Sequence, residues 1–141
     1  MATRPSSAIF RTILTNSWRR SSLSSGKNRR NRRIFGKCNN PNGHGHNYTL
    51  EVTVKGDVDP KSGFVVDLKQ LKDVMNREVI EGMDHRFLNK EVPEFRDQIP
   101  TTENLAIAIW KRLEFKLQVA KMHRVRVYET PDLFVDFYGE E

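Results

Sequence analysis

The clearest pattern in the chain is a strict alternation of apolar and polar residues over positions 47–56. Successive side chains of an extended strand point to opposite faces, so this alternation predicts a half-buried strand of an antiparallel sheet. The apolar face of that strand holds Tyr48, Leu50, Val52 and Val54. Two more alternating segments, about 123–129 and 133–138, flank a turn and predict a closing pair of strands.

Two other segments have helical spacing. Asp67 can cap a helix over roughly 68–81, in which apolar residues recur every three or four positions. Thr101 opens a second helix, to about residue 118, and residues 86–100 between the two are predicted to be a loop. This order of elements predicts an α+β fold, in which an antiparallel sheet of three to four strands has two helices packed on one face.

Charge divides the chain into two parts. The net charge is +6, yet residues 1–50 contain ten Lys or Arg and no acidic residue, and residues 51–141 sum to −4. We therefore separate a basic, Ser- and Arg-rich leader, residues 1–33, from a domain, residues 34–141. The leader has the composition of a mitochondrial transit peptide and equally of a disordered terminus. Nucleic-acid binding is not favoured, because no stacking aromatics interleave the basic residues.

The length and the cysteine content set further bounds. A chain of 141 residues suits one domain with a single core. No apolar run reaches the ~18 residues of a membrane-spanning helix. One cysteine excludes an intramolecular disulfide and fits a reducing compartment such as the cytoplasm.

Candidate chemistry begins at the start of the first predicted strand. His44 and His46 are two residues apart, so in extended chain both imidazoles lie on one face and can converge on one point. Neutral imidazole binds Zn²⁺, and catalytic zinc usually has three protein ligands. Cys38 lies six residues before His44 and could add a nucleophile or a base. The alternative is a turn that merely contains histidines.

An acid–imidazole pair follows the first predicted helix. In Asp84–His85 the carboxylate can orient the histidine and favour its charged form, as general acid–base catalysis requires. An Asp-His dipeptide is also an ordinary helix stop. Glu129 is a third candidate, because it shares the parity of Val127 and so lies towards the apolar face or its rim. A carboxylate there could accept two N–H bonds from an amidine-like ligand edge, or could form a salt bridge.

Four blocks of sequence bring these residues together: Phe35–Tyr48, Met83–His85, Thr101–Asn104 and Val127–Thr130. In that order they resemble the 6-pyruvoyl-tetrahydropterin synthase family, and its animal enzymes more than its bacterial carboxy-pterin relatives. The resemblance implies a tunnelling fold whose trimers close into barrels and pair into homohexamers, with sites at subunit interfaces. It also implies a zinc-dependent lyase in tetrahydrobiopterin synthesis, which eliminates triphosphate from 7,8-dihydroneopterin triphosphate with internal redox.

The resemblance implies roles for particular residues. Cys38 would be the proton-abstracting base, with Asp84 and His85 as its acid–base partners. His44 and His46 would hold Zn²⁺. The pterin ring would be bound by a second group, namely Glu129 as its anchor with Thr101, Thr102 and Glu103 nearby.

The N-terminal part departs from the family pattern, so the first strand has either diverged or been replaced by unrelated sequence. The family's first strand ends in a Ser-His pair whose histidine is the third zinc ligand. Here Trp18 lies within about one residue of that place, counted back from Gly36, and residues 1–43 contain no histidine. Tryptophan cannot bind zinc. Three hypotheses therefore stay open: an active synthase, a weak or inactive homologue that lacks the third ligand, and a 6-carboxy-tetrahydropterin synthase-type relative.

Overall fold

A computed structural model of the chain describes residues 5–19, 44–117 and 120–139. Cys38 and most of the leader lie outside these ranges. None of the helices in the described ranges is both long enough and apolar enough to cross a membrane.

A five-stranded sheet forms the centre of the described fold. Its strands are β1 (Pro5–Trp18), β2 (His44–Asp57), β3 (Arg86–Phe87), β4 (Lys121–Thr130) and β5 (Leu133–Phe137). They lie in the order β3-β1-β2-β4-β5, and all neighbours are antiparallel except β3, which pairs parallel to β1 over two residues. The α+β class is confirmed. The two-residue β3, which makes the sheet mixed, was not expected from the sequence.

Strand β1 corrects the assignment of the leader. Residues 5–18 pair with β2 along their whole length, so a disordered leader is wrong for this segment. The segment hides its strand pattern, because apolar side chains occur on both faces. Leu14 and Trp18 are buried against the helices, whereas Ile9 and Ile13 are exposed on the other face. Alternation of burial is present, but alternation of polarity is not.

The helices cover one face of the sheet. Helix α1 (Leu68–Met75) is capped by Asp67, whose carboxylate accepts a hydrogen bond from the Lys69 N–H at 2.9 Å. It continues through a π-helical turn (Asn76–Ile80) into a last α-helical turn (Glu81–Met83). The predicted loop 86–100 contains a short helix α2 (Leu88–Glu91) and a 3₁₀ turn (Pro93–Phe95). Helix α3 (Thr102–Leu113) ends earlier than predicted.

A single core fills the space between this face and the helices. It unites buried residues of β1, β2 and β4 with buried residues of α1 and α3, such as Leu50, Val127, Met75 and Ile109. The opposite face of the sheet carries charge. There the buried Glu51 of β2 accepts hydrogen bonds from Arg11 and, at 3.1 Å, from Arg124. The two faces of β2 therefore follow the alternation that predicted the strand.

Candidate active site

Asp84 and His85 are held in place by β1. The Thr15 N–H donates to Asp84 Oδ1 at 2.8 Å, and the His85 N–H donates to the Thr15 carbonyl at 2.5 Å. His85 has a φ of 56°, a left-handed conformation that costs free energy in a residue with a side chain. Both backbone groups of Thr15 are thus committed to the pair, and they compensate for this conformation.

The two side chains remain available for chemistry. His85 Nε2 lies 3.5 Å from Asp84 Oδ2, close enough for an ion pair but longer than a good hydrogen bond. The imidazole is 78% exposed, whereas the carboxylate is 25% exposed. An exposed imidazole oriented by a partly buried carboxylate can exchange protons with a bound molecule.

Glu129 lies at a different corner of the molecule. The Thr102 hydroxyl donates a hydrogen bond to Glu129 Oε1, which places this carboxylate on the helix-covered face. Thr101 caps α3 by accepting from the Asn104 N–H at 3.1 Å, and so fixes the turn that carries Thr102. A cavity of about 210 Å³ opens here; its lining residues are Thr102, Glu103, Glu129, Leu133, Phe134 and Val135.

Behind this corner, on the other face of the sheet, Arg126 binds two side chains of β5. The Arg126 guanidinium lies 4.0 Å from the centre of the Phe134 ring and makes two hydrogen bonds to Asp136, at 2.6 and 2.8 Å. The same guanidinium holds the pKa of the Asp136 carboxyl below its ordinary value. These contacts tie β5 to β4 on the face opposite the Thr102–Glu129 hydrogen bond.

A larger cavity of about 460 Å³ adjoins this corner; it is lined by Arg11, Asn47, Thr49, Tyr128, Glu129, Thr130 and Pro131. Asn47 accepts a hydrogen bond from the Thr15 hydroxyl at 2.9 Å. Thr15 therefore touches both the Asp84–His85 pair and a residue that lines this cavity.

One chain does not bring all the predicted site residues together. The Asp84–His85 pair lies beside β1, whereas Glu129 belongs to β4, with β2 between them. At ~4.8 Å between neighbouring strands, β1 and β4 are roughly 10 Å apart. The structure brings Glu129 to Thr102 and Glu103, but it leaves the catalytic candidates at a separate corner.

The histidine tract forms a third group, at the end of β1 and β2. The Trp18 and His46 rings are stacked with centres 4.8 Å apart, and the His46 and Tyr48 rings are stacked at 5.5 Å. The Trp18 indole N–H donates to the Tyr48 hydroxyl at 2.9 Å. In the ladder Trp18 pairs with His44, of which only the backbone is described. Trp18 thus lies beside the two histidines, as the count from Gly36 indicated.

The ligand set for zinc is incomplete by ordinary criteria. Across the described ranges no group of three His, Cys, Asp or Glu side chains is arranged to hold a metal ion. Asn16, however, pairs with His46 and is only 3% exposed. Neither polar atom of its side chain has a hydrogen-bond partner among the described residues. Among the described side chains, this corner therefore offers a metal ion two candidate ligands, the imidazole of His46 and the amide of Asn16.

Sequence reasoning missed Thr15 and Asn16. The role of Thr15 depends on its backbone, which no side-chain pattern reveals. Asn16 could have been found from its parity with Leu14 and Trp18, once β1 was recognised as a strand.

Comparison with known proteins identifies a relationship that extends over most of the chain. A family model described as 6-pyruvoyl tetrahydropterin synthase matches residues 17–140. The 6-pyruvoyl tetrahydrobiopterin synthase of Homo sapiens is 47% identical over 110 residues, covering 78% of this chain and 76% of that protein. The 6-carboxy-5,6,7,8-tetrahydropterin synthase of Haemophilus influenzae is 30% identical and covers 72% of this chain and 84% of that protein. A solved structure of the Caenorhabditis elegans 6-pyruvoyl tetrahydropterin synthase superposes with a TM-score of 0.88 at 35% identity, covering 99% of each chain.

Proposed function

This chain belongs to the 6-pyruvoyl tetrahydropterin synthase family, and from that membership we propose that it converts 7,8-dihydroneopterin triphosphate to 6-pyruvoyl-tetrahydropterin. It would act as a lyase in tetrahydrobiopterin synthesis. The observation that carries the proposal is 47% identity to a synthase of that name over 78% of the chain. The Asp84–His85 geometry supports it, since the pair is fixed by β1 and its imidazole is exposed.

Glu129 is proposed to bind the pterin ring. A pterin presents adjacent N–H donors along one edge, and a carboxylate can accept two of them side by side. The hydrogen bond from Thr102 orients this carboxylate, and Glu103 lines the same cavity. Thr101 would act indirectly, through its cap at the start of α3.

Proton transfer is proposed for Cys38, Asp84 and His85. In the elimination a base removes a proton from a carbon of the substrate side chain, and the C–O bond to triphosphate breaks with its electron pair leaving on oxygen. The internal redox then consists of proton shifts, which need an acid and a base close together. Cys38 would be the base, as a thiolate, and His85 oriented by Asp84 would deliver and collect protons.

Zn²⁺ is the proposed cofactor. His44 and His46 would hold it, and when bound it would acidify C–H bonds beside the side-chain oxygens of the substrate. The stacking of Trp18 on His46 would fix the plane of that imidazole.

A homohexamer, built as a dimer of trimers, is proposed as the working assembly. The roughly 10 Å between β1 and β4 separates the Asp84–His85 pair from Glu129 within one chain. A second copy could supply the missing part of each site. Apolar side chains exposed on β1 and β5, such as Ile13 and Leu133, are suitable for such contacts.

We propose a cytoplasmic location. Cleavage of a leader at residue 33 would remove β1, which pairs with β2 over 14 residues and fixes Asp84. A fluorescent fusion to residues 1–33 that enters mitochondria would favour the alternative.

A weak or inactive homologue is the second candidate, and Trp18 beside His44 is the observation that favours it. A 6-carboxy-tetrahydropterin synthase activity is supported less, because the identity to that protein is 30% rather than 47%.

Incubation of the full chain with 7,8-dihydroneopterin triphosphate tests these candidates. The proposal predicts release of triphosphate together with a 6-pyruvoyl product, and loss of both in Cys38→Ala. A carboxy product would support the third candidate. A folded assembly that releases no triphosphate at any zinc concentration would refute the proposed activity and support the second.

A further inference from the structure

Asn16 is a buried polar residue whose amide has no hydrogen-bond partner among the described residues. Its side chain is 3% exposed, and both the amide oxygen and the amide nitrogen are buried without a hydrogen bond to any described residue. Buried polar atoms in folded proteins are almost always paired, and each exception requires an explanation. Packing does not provide one, since an apolar residue of similar size would fill the same volume without desolvating an amide.

The position of Asn16 suggests what its partner is. Asn16 lies directly opposite His46 in the β1–β2 ladder, on the face that also carries Leu14 and Trp18. Side chains opposite each other in an antiparallel ladder lie close enough to touch. The amide therefore lies beside one of the two histidines that would hold zinc.

The burial of Asn16 restricts the size of that partner. Neither polar atom has solvent-accessible surface, so a substrate oxygen could reach them only if the surrounding chain moved. A water molecule has no room beside either atom, whereas a metal ion, which binds oxygen at about 2.1 Å, needs less space. A metal fits better with the neighbouring imidazole, since His46 lies on the same face.

Trp18 cannot take the role of third ligand. It has no lone pair to donate, and its only polar hydrogen is bonded to the Tyr48 hydroxyl. Its ring instead stacks on His46. Any third protein ligand must come from another position on this face.

We propose that the side-chain oxygen of Asn16 is the third protein ligand of a divalent cation bound with His44 and His46. In this chain the ligand would have moved two residues along β1, from position 18 to position 16. The inference depends on the zinc site of the proposed function but not on turnover. A neutral amide oxygen is a weaker zinc ligand than imidazole, so the site binds zinc less tightly than a three-histidine site would.

Metal titration of the full chain and two variants at position 16 tests the assignment. Asn16→Leu keeps the volume and removes both polar atoms; it should weaken zinc binding at least about tenfold, by analogy with the effects of altered ligand shells. Asn16→Asp replaces the amide oxygen with a charged one and should bind zinc several-fold more tightly than the parent. Thr12→Ala, on the same face of β1 but opposite Leu50, is the matched control and should leave affinity unchanged.

Cobalt provides a readout independent of catalysis. Co²⁺ bound to the parent should give visible absorption bands whose position and intensity change in Asn16→Leu and Asn16→Asp but not in Thr12→Ala. Equal zinc affinity in the parent and Asn16→Leu would overturn the proposal, as would a parent that binds no metal. If Asn16→Leu does not fold, Asn16→Asp decides: tighter binding supports the assignment and unchanged or weaker binding refutes it. These results stand whether or not the chain turns over its proposed substrate.

Discussion

The Glu129 corner and the Asn16 corner of this molecule differ in how their polar groups are satisfied. At the first corner, Thr102 donates to Glu129, and Thr101 caps the helix that carries Thr102. At the second corner, aromatic rings stack around His46 while the amide of Asn16 lies buried without a partner among the described residues. The Glu129 carboxylate at the first corner is paired within the chain, whereas the Asn16 amide at the second has no partner among the described residues.

The two corners show that polar side chains on one face of a sheet can differ in whether the chain itself supplies their hydrogen-bond partners. Glu129 and Asn16 both lie on the helix-covered face, so the topology of the sheet does not explain the difference. What separates them is the residue opposite. The Glu129 carboxylate is satisfied by a threonine hydroxyl within the chain, whereas the Asn16 amide makes no hydrogen bond to any described residue, including the imidazole opposite.

The largest effect is expected at the acid–base pair beside β1. Asp84→Asn keeps an oxygen that can accept from the Thr15 N–H but removes the charge that orients His85. General acid–base groups contribute about 10²–10⁴-fold, so kcat for triphosphate release should fall by roughly that factor. Asp73→Asn, on exposed α1 surface, is the control. Parent-like turnover in Asp84→Asn would remove the pair from the mechanism.

Trp18→His should make the second corner resemble a three-histidine site. It places an imidazole opposite His44, so zinc affinity measured against a coloured chelator should rise at least about tenfold. If the variant folds and its zinc affinity equals that of the parent, the zinc ligands do not lie at this end of β1.

Thr102→Val tests whether the hydrogen bond from Thr102 to Glu129 contributes to substrate binding. Hydrogen bonds to charged groups contribute ~1.5 kcal/mol, so KM should rise about tenfold while kcat changes little. Thr53→Val is the matched control, because the Thr53 hydroxyl is buried without a partner among the described residues on the other face of the sheet. A KM unchanged by Thr102→Val would mean that Glu129 does not depend on this bond.

The smallest effect is expected away from both corners, at the ion pair of Arg112 with Glu94. Two hydrogen bonds, at 2.5 and 2.7 Å, hold the pKa of the Glu94 carboxyl below its ordinary value of 4.5. A lowered folded-state pKa stabilises the protein above pH 4.5, and this stability is lost as the pH falls through the folded-state value. Arg112→Ala should therefore destabilise by ~1 kcal/mol near neutral pH and by less in acid.

Urea unfolding of the parent and Arg112→Ala, near neutral pH and in acid, with and without zinc, measures this change in the free energy of unfolding. The exposed pair of Arg77 with Glu78 provides the comparison, and Arg77→Ala should change stability little. If the destabilisation caused by Arg112→Ala depends on zinc, the metal stabilises more of the fold than the second corner alone.

Periodicity predicted most of the fold, because the core-facing residues of β2 from Tyr48 to Val54, and most of the buried residues of α3, are apolar. It failed at β1, where Asn16 is buried and Ile13 is exposed. It also could not predict the two-residue β3, whose pairing with β1 follows from the turn at His85 and not from its own sequence.

The candidate site was predictable only in part. Motifs and resemblance selected Asp84, His85 and Glu129, and the parity of β4 placed Glu129 on the helix side. The hydrogen bonds from Thr15 to Asp84 and His85 use the Thr15 backbone, so the residue type at position 15 could not have predicted them. The absence of a partner for Asn16 is a tertiary property, which appears only when the residues packed around β1 are known.

Native mass spectrometry of the full chain, prepared with zinc and exchanged into volatile buffer, tests the central claim that the second corner holds a metal through Asn16. It reports the mass of the assembly and its metal content together. The account predicts an assembly that carries one zinc ion for each subunit, and zinc-depleted assemblies of the same size for Asn16→Leu. Equal zinc content in both proteins, or a parent assembly without zinc, would contradict it.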